Sequence, residues 1–182
     1  MKKIKFLIYI LAFITINVNA QSKAKNKTSE TPVFDNTNEE VKMQVNNLLM
    51  DYYKIKDALV ADNNVEALAA AKEFKKAIEK VDMNKMTTAE HSYYMSLQPK
   101  LVSDAEKLNN ASDIKNSRAH FQTLSDNMFS IVKAFKANNG NAAYFDYCPM
   151  AKAGWISNST GIKNPYYGKK MMECGSIKDS IK

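Results

Sequence analysis

The chain has 182 residues, 26 of them basic and 19 acidic, with five glycines, four prolines and two cysteines. That length suits one domain with a real core rather than several. Its formal charge of +7 comes from scattered lysines rather than one basic run or face, which argues against a nucleic-acid partner.

The first twenty residues read as a cleavable signal peptide. Lys2, Lys3 and Lys5 form a cationic start, Phe6 to Ile16 are almost wholly apolar, and Val18-Asn19-Ala20 offers small or aliphatic side chains for cleavage after Ala20. The apolar run is about eleven residues, short of the roughly twenty needed to span a bilayer. The expected address is therefore periplasmic or secreted, with no stable membrane insertion after cleavage. Gln21 is not followed by a cysteine that could carry a lipid. Loss of the three leader lysines lowers the formal charge to +4.

Residues 21–37 are polar and rich in Lys, Ser, Thr and Asn, and read as a flexible linker. Thr37 and Glu40 then have capping-box spacing. Val41, Val45, Leu48, Tyr52, Ile55 and Leu59 follow at helical intervals, predicting a first helix over 38–61. Asp62-Asn63-Asn64 breaks it and caps a second helix over 64–81, whose stripe is Ala67, Ala70, Ala71, Phe74, Ile78 and Val81. So short a connection predicts an antiparallel hairpin. Thr87 and Glu90 repeat the capping-box spacing before a third helix striped by Tyr94, Leu97, Leu101, Ala105 and Leu108, with Pro99 expected to kink or split it. A fourth helix starts near Ser112 or Asp113 and runs to Ala137 through Phe121, Leu124, Met128, Ile131, Val132 and Phe135, with Asn138-Asn139-Gly140 as its C-cap. The expected fold class is all-α: an antiparallel up-and-down four-helix bundle over 38–140, with an irregular Cys- and Met-bearing tail over 141–182 packed on it as one domain. Helical periodicity is absent from that tail, and a short strand or two is expected around Tyr144–Cys148 and near Trp155.

The tail concentrates the unusual chemistry: both cysteines, the only tryptophan, four tyrosines and three methionines. Cys148-Pro149-Met150 and Met171-Met172-Glu173-Cys174 each set a thiol beside a thioether. Soft sulfur ligands select monovalent copper or silver over hard cations. Cys148, Met150, Met171 and Cys174 are thus candidate ligands for a copper ion, with Pro149 and the Asn164–Gly168 turn stiffening the two halves. The same residues admit another reading. In an exported chain Cys148 and Cys174 form a disulfide by default, closing a loop of about 25 residues worth roughly 3 kcal/mol, with the methionines as core filler. Spacing leaves both open. His120, near the edge of the fourth helix's stripe, is the weakest ligand candidate. His91 has no sulfur neighbour in sequence and takes no role. No phosphate loop, Gly-x-Ser-x-Gly, His-Glu-x-x-His or Cys-x-x-Cys occurs, so an enzyme is not expected.

Tyr-x-x-Tyr-Cys-Pro-Met-Ala (144–151), Trp155 and Asn-Pro-Tyr-Tyr-Gly-x-x-Met-x-x-Cys-Gly (164–175) together resemble a bacterial domain-of-unknown-function family. That family occurs as small secreted proteins and as the carboxy-terminal part of periplasmic adaptors in copper and silver efflux systems. Tyr53 to Asp62 resembles its first-helix signature, and Arg118-Ala119-His120-Phe121 with Leu124, Ser125 and Met128 its fourth, so the likeness covers about residues 41–177. It implies a helical bundle with a cysteine-bearing tail, an association with heavy-metal handling, and an efflux-system or envelope protein as partner. The cysteine segment is also similar to the Tyr-x-Cys-Pro-Met-His string of small heavy-metal-binding domains, with Ala151 in place of the histidine. The barrel and hairpin segments of a full adaptor are not present, so this resembles a standalone form. The functional expectation is a protein that binds or buffers a soft metal, monovalent copper first; the alternative is a metal-free, disulfide-stabilised interaction module.

Overall fold

A computed structural model describes residues 31–181. The signal-peptide reading and most of the linker fall outside those residues. Four helices come first: α1 (Glu39–Val60), α2 (Asn64–Ile78), α3 (Thr88–Asn109) and α4 (Ile114–Phe135). Three strands follow, β1 (Ala143–Cys148), β2 (Ala153–Ser157) and β3 (Ser176–Ile181), with short 3₁₀ turns at Met83–Lys85 and Gly168–Lys170.

The helices pack in sequence order, with α1 closing against α4, as an up-and-down bundle requires. Each start has a local cause. Asn63 accepts the Glu66 amide, Asp113 accepts the Asn116 amide, and Thr87 with Glu90 completes the reciprocal capping box. At α1 the cap is Asn38, which accepts the Glu40 amide, and not Thr37. The Thr37 hydroxyl instead donates to the buried Glu90 carboxylate across the bundle, so a tertiary bond displaces the local one. Residues at the end of the expected linker are folded: Phe34 packs its ring against Tyr93 and Phe135, and its amide donates to the Ala134 carbonyl at 2.7 Å.

Pro99 neither splits α3 nor ends it. It lies on the exposed side of the helix, where water can take the carbonyl its missing N–H leaves free. The fourth helix stops earlier than expected, at Lys136 in the left-handed conformation rather than at Asn138–Gly140. The core is aromatic and aliphatic, with Tyr52, Phe74, Tyr94, Phe121, Phe135 and Leu48 buried at its centre.

The fold is not purely all-α. The tail closes into an antiparallel sheet in the order β2-β1-β3. β1 and β2 form a hairpin in which Cys148 stands opposite Ala153 and Asp146 opposite Trp155. β3 returns across the other edge of β1, with Tyr147 opposite Ser176 and a register shift at Phe145/Asp146. The strands expected around Tyr144–Cys148 and near Trp155 are β1 and β2, and β3 is the strand that the sequence did not mark. Both sides of the sheet are covered. All five β2 residues are buried, so no polar alternation marks the strand. On one side Phe145 stacks on Phe129 of α4 with centroids 4.4 Å apart. The ring lies so close over Gly154 that a Cβ there would approach it to 2.3 Å. On the other side the loop between β2 and β3 covers Trp155, which meets Tyr166 edge-on at 6.0 Å.

Candidate functional site

The β1–β2 hairpin places Cys148. It is the last residue of β1, and Pro149 to Lys152 make the turn, with Lys152 left-handed at φ 52°. This turns the Met150 and Ala151 backbone amides toward the Cys148 sulfur, where they favour its thiolate form. The pairing of β3 with β1 places Cys174. Because Ser176 stands opposite Tyr147, the chain two residues earlier arrives beside the end of β1. The Cys148 and Cys174 sulfurs lie 2.8 Å apart, both as free thiols.

Asn164 locks this arrangement. Its side chain is buried, accepts the Tyr166 and Tyr167 amides at 2.8 and 3.2 Å, and donates to the Cys174 carbonyl at 2.7 Å. Its side chain also favours the thiolate form of Cys148. The two tyrosines then reach back to the hairpin, Tyr166 donating to the Gly154 carbonyl at 2.5 Å and Tyr167 to that of Met150 at 3.2 Å. The Asn-Pro-Tyr-Tyr-Gly segment is therefore a turn whose side chains brace both cysteines.

The loop is fastened to the bundle at Arg118. Its guanidinium donates to the Pro165 carbonyl at 2.7 Å, the Leu59 carbonyl at 2.9 Å and the Asp62 carboxylate at 2.6 Å. Asp62 also accepts the Lys169 amide at 3.1 Å, and the Arg118 bond with this amide holds its carboxyl below the usual range. Gly168 sits at φ +53°, where a Cβ would fall 2.2 Å from Asp62 Oδ1. Tyr52 ties the sheet to the helices: its hydroxyl accepts the Ile156 amide at 2.9 Å and shares a 2.9 Å bond with Ser125 Oγ. Tyr52 from the α1 stripe, Asp62 from the break after it, and Arg118 and Ser125 from α4 thus anchor the tail.

The two thiols are electrostatically unlike. Burial pushes the Cys148 thiol up, but the Cys174 thiol, the Ala151 and Met150 amides and the Asn164 side chain together outweigh it and bring it below its ordinary value. Cys174 is raised, first because its proton is engaged by Cys148 and then by burial. The arrangement favours the thiolate form at Cys148 over Cys174, with the two sulfurs 2.8 Å apart.

Of the other candidate ligands, Met150 and Met171 are exposed beside the pair, at 64% and 37%. His120 is not brought to it. Arg118, Gln122, Ser125 and Phe129 line the α4 face that meets the tail. His120 is two residues from Arg118 and from Gln122, roughly 200° around the helix. It lines a shallow groove with Glu106, Asn110 and Asn116 instead. Among the described residues, no three His, Cys, Asp or Glu side chains are grouped to hold a metal ion.

Asp146 went unnoticed in the sequence. It is fully buried two residues before Cys148 on the same side of β1, and neither carboxylate oxygen has a hydrogen-bond partner among the described residues. The indole N–H of Trp155, its cross-strand neighbour, is also unpartnered. Burial pushes the Asp146 carboxyl up to about 6, against a smaller downward pull from Lys56. The signal was available: an acid set among aromatic residues in Ala-Tyr-Phe-Asp-Tyr-Cys.

A family model described as Protein of unknown function (DUF3347) matches residues 48–140, just over half of the chain. No curated protein and no solved structure matches it. The matched span covers the helices and ends before the cysteine pair. The chain belongs to that family.

Proposed function

We propose that this DUF3347 member is a binding protein for a soft monovalent metal ion, copper(I) above all, held at Cys148 and Cys174. The observation that carries the reading is the convergence of two free thiols at the end of β1, one of them cradled by backbone amides. Amide donors stabilise a thiolate, the form in which cysteine ligates metal. The donor set also argues for a soft ion. Among the described residues no carboxylate or imidazole joins the pair, and the nearest exposed sulfur donors in sequence are the Met150 and Met171 thioethers. Being exposed and flexible, those side chains are free to complete the coordination of an ion carried by the two thiolates.

An envelope location follows from the leader-like first twenty residues, and no helix among the described residues is long and apolar enough to cross a membrane. The likeness of the tail to efflux-adaptor segments supports buffering or delivery of the ion within heavy-metal homeostasis, with an efflux-system or envelope protein as partner. Binding rather than catalysis is proposed, since among the described residues no histidine is grouped with Cys148 and Cys174.

One observation favours a second reading. Two thiolates on one ion at the roughly 2.3 Å of a tetrahedral thiolate site stand about 3.8 Å apart, whereas a disulfide brings them to about 2.05 Å. At 2.8 Å the pair lies nearer the bridged state, which would make the chain a disulfide-stabilised, metal-free module docking on an envelope partner. Titration of reduced mature protein with copper(I) against a competing chelator separates the two. Affinity that is lost in Cys148→Ser and Cys174→Ser supports the metal site; affinity unchanged by both removes it. A quantitative bridge in freshly exported protein, read by intact mass after alkylation, favours the module.

A further inference from the structure

Cys148 and Cys174 are neighbours with opposite access. Cys148 is fully buried, with its sulfur enclosed by amides, Asn164 and the other thiol. Cys174 keeps accessible surface and lies in a segment whose neighbours Met171, Glu173 and Ser176 are exposed. A dissolved reagent the size of a small disulfide can therefore reach only the Cys174 sulfur. Once a group is attached there, the only other cysteine sulfur is 2.8 Å away, within reach of attack.

We propose that the pair is a redox gate on metal uptake: a small-molecule disulfide oxidises the protein through Cys174, and Cys148 closes the bond. The Cys174 thiol gives up its proton to water, and the resulting thiolate attacks one sulfur of the external disulfide. The external S–S bond breaks, a mixed disulfide forms at Cys174, and the first leaving thiolate is protonated from water. Cys148 then gives up its proton to water and attacks the Cys174 sulfur, expelling the second thiolate, which is protonated in turn. One external disulfide becomes two thiols, and two protein thiols become one disulfide. Closing the bond moves the sulfurs together by under about 1 Å, whereas metal ligation moves them apart by a similar distance. The two states exclude each other, so oxidation removes both thiolate ligands at once. The gate rests on the soft-metal reading; the order of attack does not.

The test takes reduced mature protein and oxidised glutathione without metal, quenched in acid and read by intact mass. Wild type is expected to form the internal bridge without retaining glutathione. Cys148→Ser and Cys148→Ala are expected to retain one glutathione on Cys174. Cys174→Ser is expected to react at least about tenfold more slowly than either. Emission from Trp155, which packs against Gly175 beside Cys174, checks that each variant is folded. Cys174→Ser trapping glutathione as fast as Cys148→Ser, or wild type retaining the adduct, overturns the order of attack. A second arm compares metal-free with copper(I)-loaded protein. Slowing of bridge formation by at least about tenfold, with no copper(I) affinity in the bridged form, supports the gate. A bridge that forms equally fast on loaded protein, or a bridged protein that still binds copper(I), overturns it. Failure of the metal reading itself is seen separately, as an absence of copper(I) affinity in the reduced protein.

Discussion

Removing one hydroxyl tests how the sheet is held to the helices. Tyr52→Phe keeps the ring, its stacking on Phe121 at 5.2 Å and its buried volume, and deletes only the oxygen that Ile156 and Ser125 share. Ile156 is in β2, an edge strand whose outer side is closed by this hydroxyl and not by another strand. The variant leaves a buried amide N–H without its acceptor and the buried Ser125 hydroxyl without its partner. An orphaned buried polar group costs about 1–3 kcal/mol. Ser125 can turn to a helix carbonyl and recover part of its share, while the Ile156 amide is fixed by the strand, so the expected loss is about 2 kcal/mol. Ser125→Ala should cost about 1 kcal/mol alone, and the double variant less than the sum by about 0.5–1 kcal/mol, since both remove the same bond. Urea unfolding followed by circular dichroism and by Trp155 emission provides the measurement. A Tyr52→Phe loss below about 0.5 kcal/mol, or strict additivity in the double variant, would refute the anchoring role given to this hydroxyl.

Asp146 gives a pH-dependent prediction. Its carboxyl is raised to about 6 in the folded protein, so the folded state binds this proton more tightly than the unfolded chain does. Its contribution therefore favours folding at low pH and is lost as pH rises from about 4 through 6, by up to about 3 kcal/mol. Relative to Asp146→Asn, wild type should lose stability between pH 4 and 7 in paired urea titrations, and parallel curves would count against it. Gly168→Ala combines a positive φ with a Cβ on the Asp62 carboxylate, and should cost about 2 kcal/mol or more in the same unfolding assay. An undiminished midpoint would show that the Asp62–Arg118 anchor yields without cost. Asn164→Ala should loosen both cysteines and speed alkylation of the reduced thiols, measured by mass; a rate equal to wild type would deny Asn164 its bracing role.

Helical spacing was enough to place α1 to α4, because each buries one stripe against its neighbours and the 3.6-residue period shows which residues those are. Short connections then leave antiparallel packing as the compact solution. Local chemistry was equally legible at the Thr87–Glu90 capping box, whose partners are three residues apart. It failed at Thr37, whose hydroxyl had a better acceptor 53 positions away in Glu90. The same contrast runs through the tail. Cysteine and methionine content marked Cys148, Met150, Met171 and Cys174 as a group, but composition carries no distances. Only the β1–β3 register sets the two sulfurs side by side, and only the direction of α4 turns Arg118 toward the tail and His120 away from it. The third strand, Ser-Ile-Lys-Asp-Ser-Ile, has no apolar period of its own, since its place comes from pairing with residues about thirty to forty positions earlier. Interactions within one turn of chain were determined by the sequence directly. Those that assemble the dithiol join α1, α4, β1 and the loop before β3, and they exist only once the tertiary fold brings those segments into contact.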